Sequence, residues 1–124
     1  MLNKKKYLNN KLISSDIISY DKASLFKNIY TKHHANLEKF DLPKGWHWIF
    51  FPENYRTNQL AEDGHPRRGS FLPKLAGYKR MFAGSEIKFY KNFVFNTLVK
   101  KSSQIMAINS IKKKRTMLYL IDIK

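Results

Sequence analysis

Cysteine is absent from this 124-residue chain. No disulfide framework and no thiolate metal site is therefore open to it. Acids are scarce as well: nine Asp and Glu face 24 Lys and Arg, for a net charge of +15. The N-terminal stretch MLNKKKYLNNKLIS lacks a continuous apolar segment. It reads as neither a signal peptide nor a membrane span, and a cytoplasmic location is the default expectation. Nucleic-acid modules are missing too. There is no ribonucleoprotein-type aromatic motif, no zinc-finger spacing, no heptads beside a basic region and no GXXG loop in a suitable setting. The positive charge then has two readings. One is a surface for an anionic partner. The other is compositional bias, because Lys far outnumbers Arg and Ile and Asn are abundant. The lysines are spread along the chain, and only 4–6 and 112–115 form runs, which are ordinarily solvated. A basic nucleic-acid-binding module is kept as an alternative but disfavoured.

What is present suffices for one folded domain, with 43% hydrophobic and 15% aromatic residues. Residues 1–15 read as a loosely ordered, basic N-terminus, and 16–124 as the domain. Asp21 is a candidate N-cap for a helix running to about residue 38. Leu25, Phe26, Ile29, Tyr30, His33 and Leu37 recur at helical spacing along it. His33 and His34 lack the i, i+4 spacing or third ligand of a metal site, so no metal is expected there. Pro43 and Pro52 bracket GWHWIFF, an apolar run too short for periodicity to separate a buried helix from a buried strand. A long loop follows over 62–84, EDGHPRRGSFLPKLAGYKRMFAG, which neither alternates nor repeats. Ile87 and Phe89 suggest a strand, 92–97 a turn, and 98–108 a long strand. Asn109 and Ser110 open a turn region. The last strand, 116–123, is apolar on both faces and reads as an interior strand. The class is α+β, with an antiparallel meander of three strands. So few strands leave edges exposed, and a partner covering an edge is expected.

Four segments carry a resemblance: LPKGWHWIFF, LAEDGHPRRGSFLPK, KRMFAGSEIKF and YKNF. In order and spacing they resemble the N-terminal hot-dog half of the hydroxyacyl-thioester dehydratase type 2 and mesaconyl-CoA hydratase group, in the MaoC-like superfamily. The likeness extends over roughly 16–124. It departs from the family pattern at Ser70, Lys74, Phe82, Ser85 and Asn92, and Asn96-Thr97 stands for Gly-Asp in a turn. Asn tolerates a left-handed backbone, so that turn can survive. The resemblance implies a single hot-dog fold, an antiparallel sheet around a short central helix.

Hydration of an enoyl thioester, or its reverse, needs a general acid and base acting on one water. The superfamily's hydratases are known for an Asp-x-Asn-Pro-x-His motif, and none of the five aspartates here opens one. The resemblance places that motif in the other half of a double hot-dog. It implies that this chain is a non-catalytic subunit of an enoyl-thioester hydratase or 3-hydroxyacyl-thioester dehydratase. A separate catalytic MaoC-like hot-dog chain would complete it as a heterodimer, and a homodimer is the competing assembly. The ligand would be an acyl-CoA or acyl carrier protein thioester, with no cofactor. Trp46, His47, Trp48 and Phe51 would line the acyl tunnel. His65, Arg67, Arg68, Arg80, Met81, Phe82, Ala83 and Gly84 would form the mouth, the cations meeting phosphates and the small residues admitting the thioester. Asp63 and His65 are the weak local candidates for acid–base chemistry, and a self-sufficient homodimeric enzyme using them is the alternative.

Overall fold

The computed structural model describes residues 2–29 and 41–124. The expected helical residues 30–38, with Tyr30, His33, His34 and Leu37, lie outside the described residues. The regular elements are β1 (Lys11–Ile17), α1 (Tyr20–Ile29), β2 (Leu98–Lys113) and β3 (Thr116–Ile123), with short 3₁₀ turns between them. The three strands form one sheet in the order β1-β2-β3. One helix beside an antiparallel sheet is the α+β class, consistent with a single hot-dog fold.

The chain divides into two compact units. The hairpin unit comprises Met1–Ile13, Asn54–Met81 and Ser102–Lys124, and the helix unit Ser14–Glu53 and Phe82–Lys101. In the hairpin unit, Tyr7, Ile105 and Ile108 form the buried core. Ile105 and Ile108 are three apart, a spacing that puts strand residues on opposite faces. A bulge at Met106 resolves this. Ile105 pairs Ile123 and Ala107 pairs Asp122, so Met106 is the unmatched residue and the alternation resets. In the helix unit the buried core is Ile18, Ala23, Leu42 and Phe50, flanked by Trp46, Phe93 and Phe95.

Several local expectations change. The N-terminal residues are more ordered than their composition suggests, and the expected boundary at residues 15 and 16 falls inside β1. Tyr7 is buried, the Asn9 N–H donates to the Ile105 carbonyl, and the Ile105 N–H donates to that of Asn10, both at 3.0 Å. Pairing and a buried aromatic ring together outweigh the polar composition. The cap of α1 is Ser19, whose Oγ accepts the Lys22 N–H at 3.1 Å, while Asp21 lies within the first turn. Ala23 is buried, whereas Leu25 and Ile29 are exposed, so the expected apolar face is only partly used.

The strand expected at Ile87 and Phe89 does not form, and 81–89 is irregular and exposed. Its alternation is brief, and among the described residues no neighbour supplies a ladder. That place in the three-stranded sheet is taken by β1. The turn expected at Asn109 and Ser110 is instead paired strand, opposite Leu120 and Tyr119, because ladder hydrogen bonds outweigh local turn preference. The reversal comes at 114–115, with Lys114 at φ 45°. β3 is an outer strand of the sheet, not an interior one. Leu118, on the face opposite the core-packed Ile121, and Ile123, at the strand's end, are each 49% exposed. The turn at 92–97 holds: Asn96 takes φ 60° and Thr97 Oγ1 donates to the Val94 carbonyl at 2.6 Å.

Candidate functional site

The bracketed apolar run is neither a full helix nor a strand. Trp46–Ile49 makes a single 3₁₀ turn, entered through Gly45 at φ 89°. The Trp46 N–H donates to the Pro43 carbonyl and the Phe50 N–H to that of His47, each at 3.1 Å. A turn of three residues splits the run. Phe50 is buried and Trp46 packs against the same core, while Trp48 points outward and is 66% exposed. Phe51 then adopts φ 58°, a left-handed conformation rare for an aromatic residue. Asp16 holds it there: its Oδ2 accepts the Phe51 N–H at 2.7 Å, and its Oδ1 accepts the Ile17 N–H at 2.8 Å. Lys22 Nζ lies 3.5 Å from the same carboxylate. Desolvation alone would raise the Asp16 pKa, but the two N–H donors and Lys22 outweigh it and leave it below 3.8.

His47 sits among aromatic rings. Its centroid is 5.7 Å from Trp48, 5.8 Å from Phe89 and 6.2 Å from Phe93. Its Nδ1 is buried without a hydrogen-bond partner. Burial lowers its pKa below 6.5, so the imidazole is neutral near pH 7. Lys44 Nζ lies 5.8 Å from the Phe89 ring centre, a cation over the outer wall of this cage.

The 62–81 loop, in the hairpin unit, is a different environment. Asp63 Oδ1 accepts the His65 N–H at 3.1 Å, and His65 Nδ1 is 3.7 Å from the same oxygen. The two side chains do converge, but on an exposed turn, at 53% and 57% exposure. This is an aspartate capping its own turn, with Gly64 at φ 76°. Arg67 Nε donates to the Leu60 carbonyl at 3.2 Å, and Arg68 Nη2 to the Tyr78 carbonyl at 2.9 Å. Both guanidiniums are thus engaged by the loop's own backbone. Arg80 and Met81 end the unit, fully on the surface. Phe82, Ala83 and Gly84 begin the next stretch of the helix unit, also exposed. Gly84 takes φ 149°, and a Cβ there would meet no atom within 4 Å, so its backbone conformation, not close packing, calls for glycine.

The candidate residues therefore divide between units: Trp46, His47, Trp48, Phe51 and 82–84 in one, His65, Arg67, Arg68, Arg80 and Met81 in the other. Sequence reasoning missed Asp16, Lys44, Phe89 and Phe93 as neighbours of the aromatic segment. The signal for Phe89 and Phe93 was the run of aromatics at 89, 90, 93 and 95. For Asp16, 35 residues from its partner Phe51, no local signal existed. Among the described residues, no cluster of three His, Cys, Asp or Glu could hold a metal ion. No helix among them is long and apolar enough to cross a membrane.

Comparison with known proteins covers both segments. Residues 45–123 match the family model for hydroxyacyl-thioester dehydratase type 2. A stretch of 49 residues, 40% of the chain, is 47% identical to mesaconyl-C(4)-CoA hydratase of Chloroflexus aurantiacus (strain ATCC 29366 / DSM 635 / J-10-fl). The match spans only 18% of that hydratase's length. With more than half its residues inside the family model, the chain belongs to the hydroxyacyl-thioester dehydratase type 2 family, in the MaoC-like hot-dog group.

Proposed function

We propose that this chain is the non-catalytic hot-dog subunit of an enoyl-thioester hydratase or 3-hydroxyacyl-thioester dehydratase, its hot-dog domain including the N-terminal segment that packs Tyr7 and pairs β1 with β2. It shapes the site for an acyl-thioester, and the acid–base pair comes from a separate catalytic hot-dog chain. The observation that carries this reading is the state of Asp63 and His65. They form the acid–histidine pair inside the matched segment, and they are spent on an exposed local turn. A general base needs to meet its water within about 3 Å in a site that excludes bulk solvent. The outer position of β3 supports a second chain as well, since an edge strand presents unpaired N–H and C=O groups to an added strand.

The test is hydration of crotonyl-CoA, followed at the enoyl absorbance. It compares this chain, a hot-dog protein bearing Asp-x-Asn-Pro-x-His, and the two mixed, with size exclusion on each. Activity that rises sharply only in the mixture, with a heterodimer peak, supports the proposal. Activity of this chain alone overturns it in favour of a self-sufficient homodimer using Asp63 and His65.

A further inference from the structure

His47 Nδ1 is a buried polar atom without a partner. A buried nitrogen without a partner costs about 1–3 kcal/mol in lost hydrogen bonding, so such groups persist where something outside the chain completes them. The His47 ring is held by the 3₁₀ turn and by Trp48, Phe89 and Phe93, and its Nδ1 is closed off from solvent. Two of the three walls reach the surface, Trp48 at 66% and Phe89 at 38% exposure. The nitrogen therefore lies one side-chain layer beneath a face that an apolar ligand can part.

The chemistry narrows the role. Among the described residues no carboxylate pairs with His47, so the oriented base of an acid–base dyad is not built here. The charged group beside the cage is Lys44, whose Nζ lies 5.8 Å from the Phe89 ring centre. A neutral imidazole carries one N–H, and aromatic surroundings strengthen any hydrogen bond it makes. An enoyl thioester and its 3-hydroxyacyl hydration product share one acceptor, the thioester carbonyl oxygen.

We infer that His47 Nδ1–H donates a hydrogen bond to the carbonyl oxygen of an acyl-thioester whose acyl chain lies against Trp48 and Phe89. His47 is thus a specificity-determining residue, favouring a carbonyl over a plain hydrocarbon at that depth. This rests on the reading that the chain shapes an acyl-thioester site.

The experiment uses the full chain and butyryl-CoA, a saturated thioester that cannot be hydrated. Titration is followed in ¹⁵N-histidine and in backbone amide spectra, with affinity from calorimetry. Two variants accompany the wild type. His47→Phe keeps an aromatic ring in the cage and removes the donor, and His47→Asn keeps a donor near the Nδ1 position. Expected are a large shift of the His47 Nδ1 signal on saturation, binding weakened about 10-fold or more in His47→Phe, and affinity within about 3-fold of wild type in His47→Asn. If the amides of 45–51 and 89–93 shift while Nδ1 does not, or if His47→Phe binds as tightly as wild type, the inference is overturned and the site reading stands. If butyryl-CoA shifts none of these amides, either in this chain alone or in its mixture with the catalytic hot-dog chain, both fall together.

Discussion

The loop over 62–81 and the aromatic segment over 45–51 are equally dense in unusual residues, yet they treat their polar atoms in opposite ways. In the loop, Asp63 caps the His65 N–H, and Arg67 and Arg68 each donate to a loop carbonyl. Asn10 Nδ2 ties the loop to the N-terminal segment through the Ser70 carbonyl at 3.1 Å, and the Tyr78 ring meets Tyr119 edge-on at 5.4 Å. In the aromatic segment, the His47 Nδ1 is left unsatisfied and Phe51 is held at a strained φ. Motif density therefore does not locate function. On the reading proposed above, the segment that satisfies itself is scaffold and the one left unsatisfied is where the ligand goes.

The largest test of this contrast is packing beneath the aromatic segment. Phe50→Ala removes a nearly fully buried ring and is expected to cost about 3–5 kcal/mol, read by urea denaturation. Next comes the carboxylate that holds Phe51. Asp16→Ala strips the partner from the Phe51 N–H and is expected to cost about 1–3 kcal/mol. Phe51→Gly in that background relieves the strain at φ 58° but gives up the ring's packing on the core, so the double variant is expected to be no more stable than Asp16→Ala.

The pH dependence sharpens the contrast further. His47 is held below its ordinary 6.5, so between that value and its folded pKa the unfolded chain binds the extra proton. Its effect is a loss of stability as pH falls below about 6.5. Asp16 is shifted down, so its contribution is present above 3.8 and is lost only as pH drops through its lower folded pKa. Thermal melts between pH 7 and pH 5 should therefore show a shallower slope in His47→Asn than in wild type. The smallest effect belongs to the loop. His65→Ala is expected to change stability by less than about 0.5 kcal/mol and to leave the activity of the reconstituted mixture intact.

Much of the fold was legible wherever the signal was local. Asn96 was readable as a left-handed turn residue because its side chain tolerates that backbone, and β2 and β3 announced themselves by β-branched and apolar runs. The order and spacing of the four motif segments gave the family. What was not legible depended on distant partners. β1 has an unremarkable sequence and exists because β2 pairs it. The apolar alternation at Ile87 and Phe89 found no ladder and stayed irregular. Of the candidate site, the residue types in WHW were readable, but not that the His47 Nδ1 would be left alone, since Phe89 and Phe93 come from more than 40 positions away.

The bulge at Met106 has a genetic consequence. Removing one codon from a strand normally inverts every side chain beyond the cut. At Met106 the missing residue is the one with no opposite number, so Ile105 and Ala107 would follow one another against Ile123 and Asp122 in continuous register. A deletion there erases a kink and leaves the pairing intact, whereas the same deletion at Ile108 would shift the rest of β2 past its neighbour. The strand thus carries one position at which a residue can be lost while its faces stay fixed.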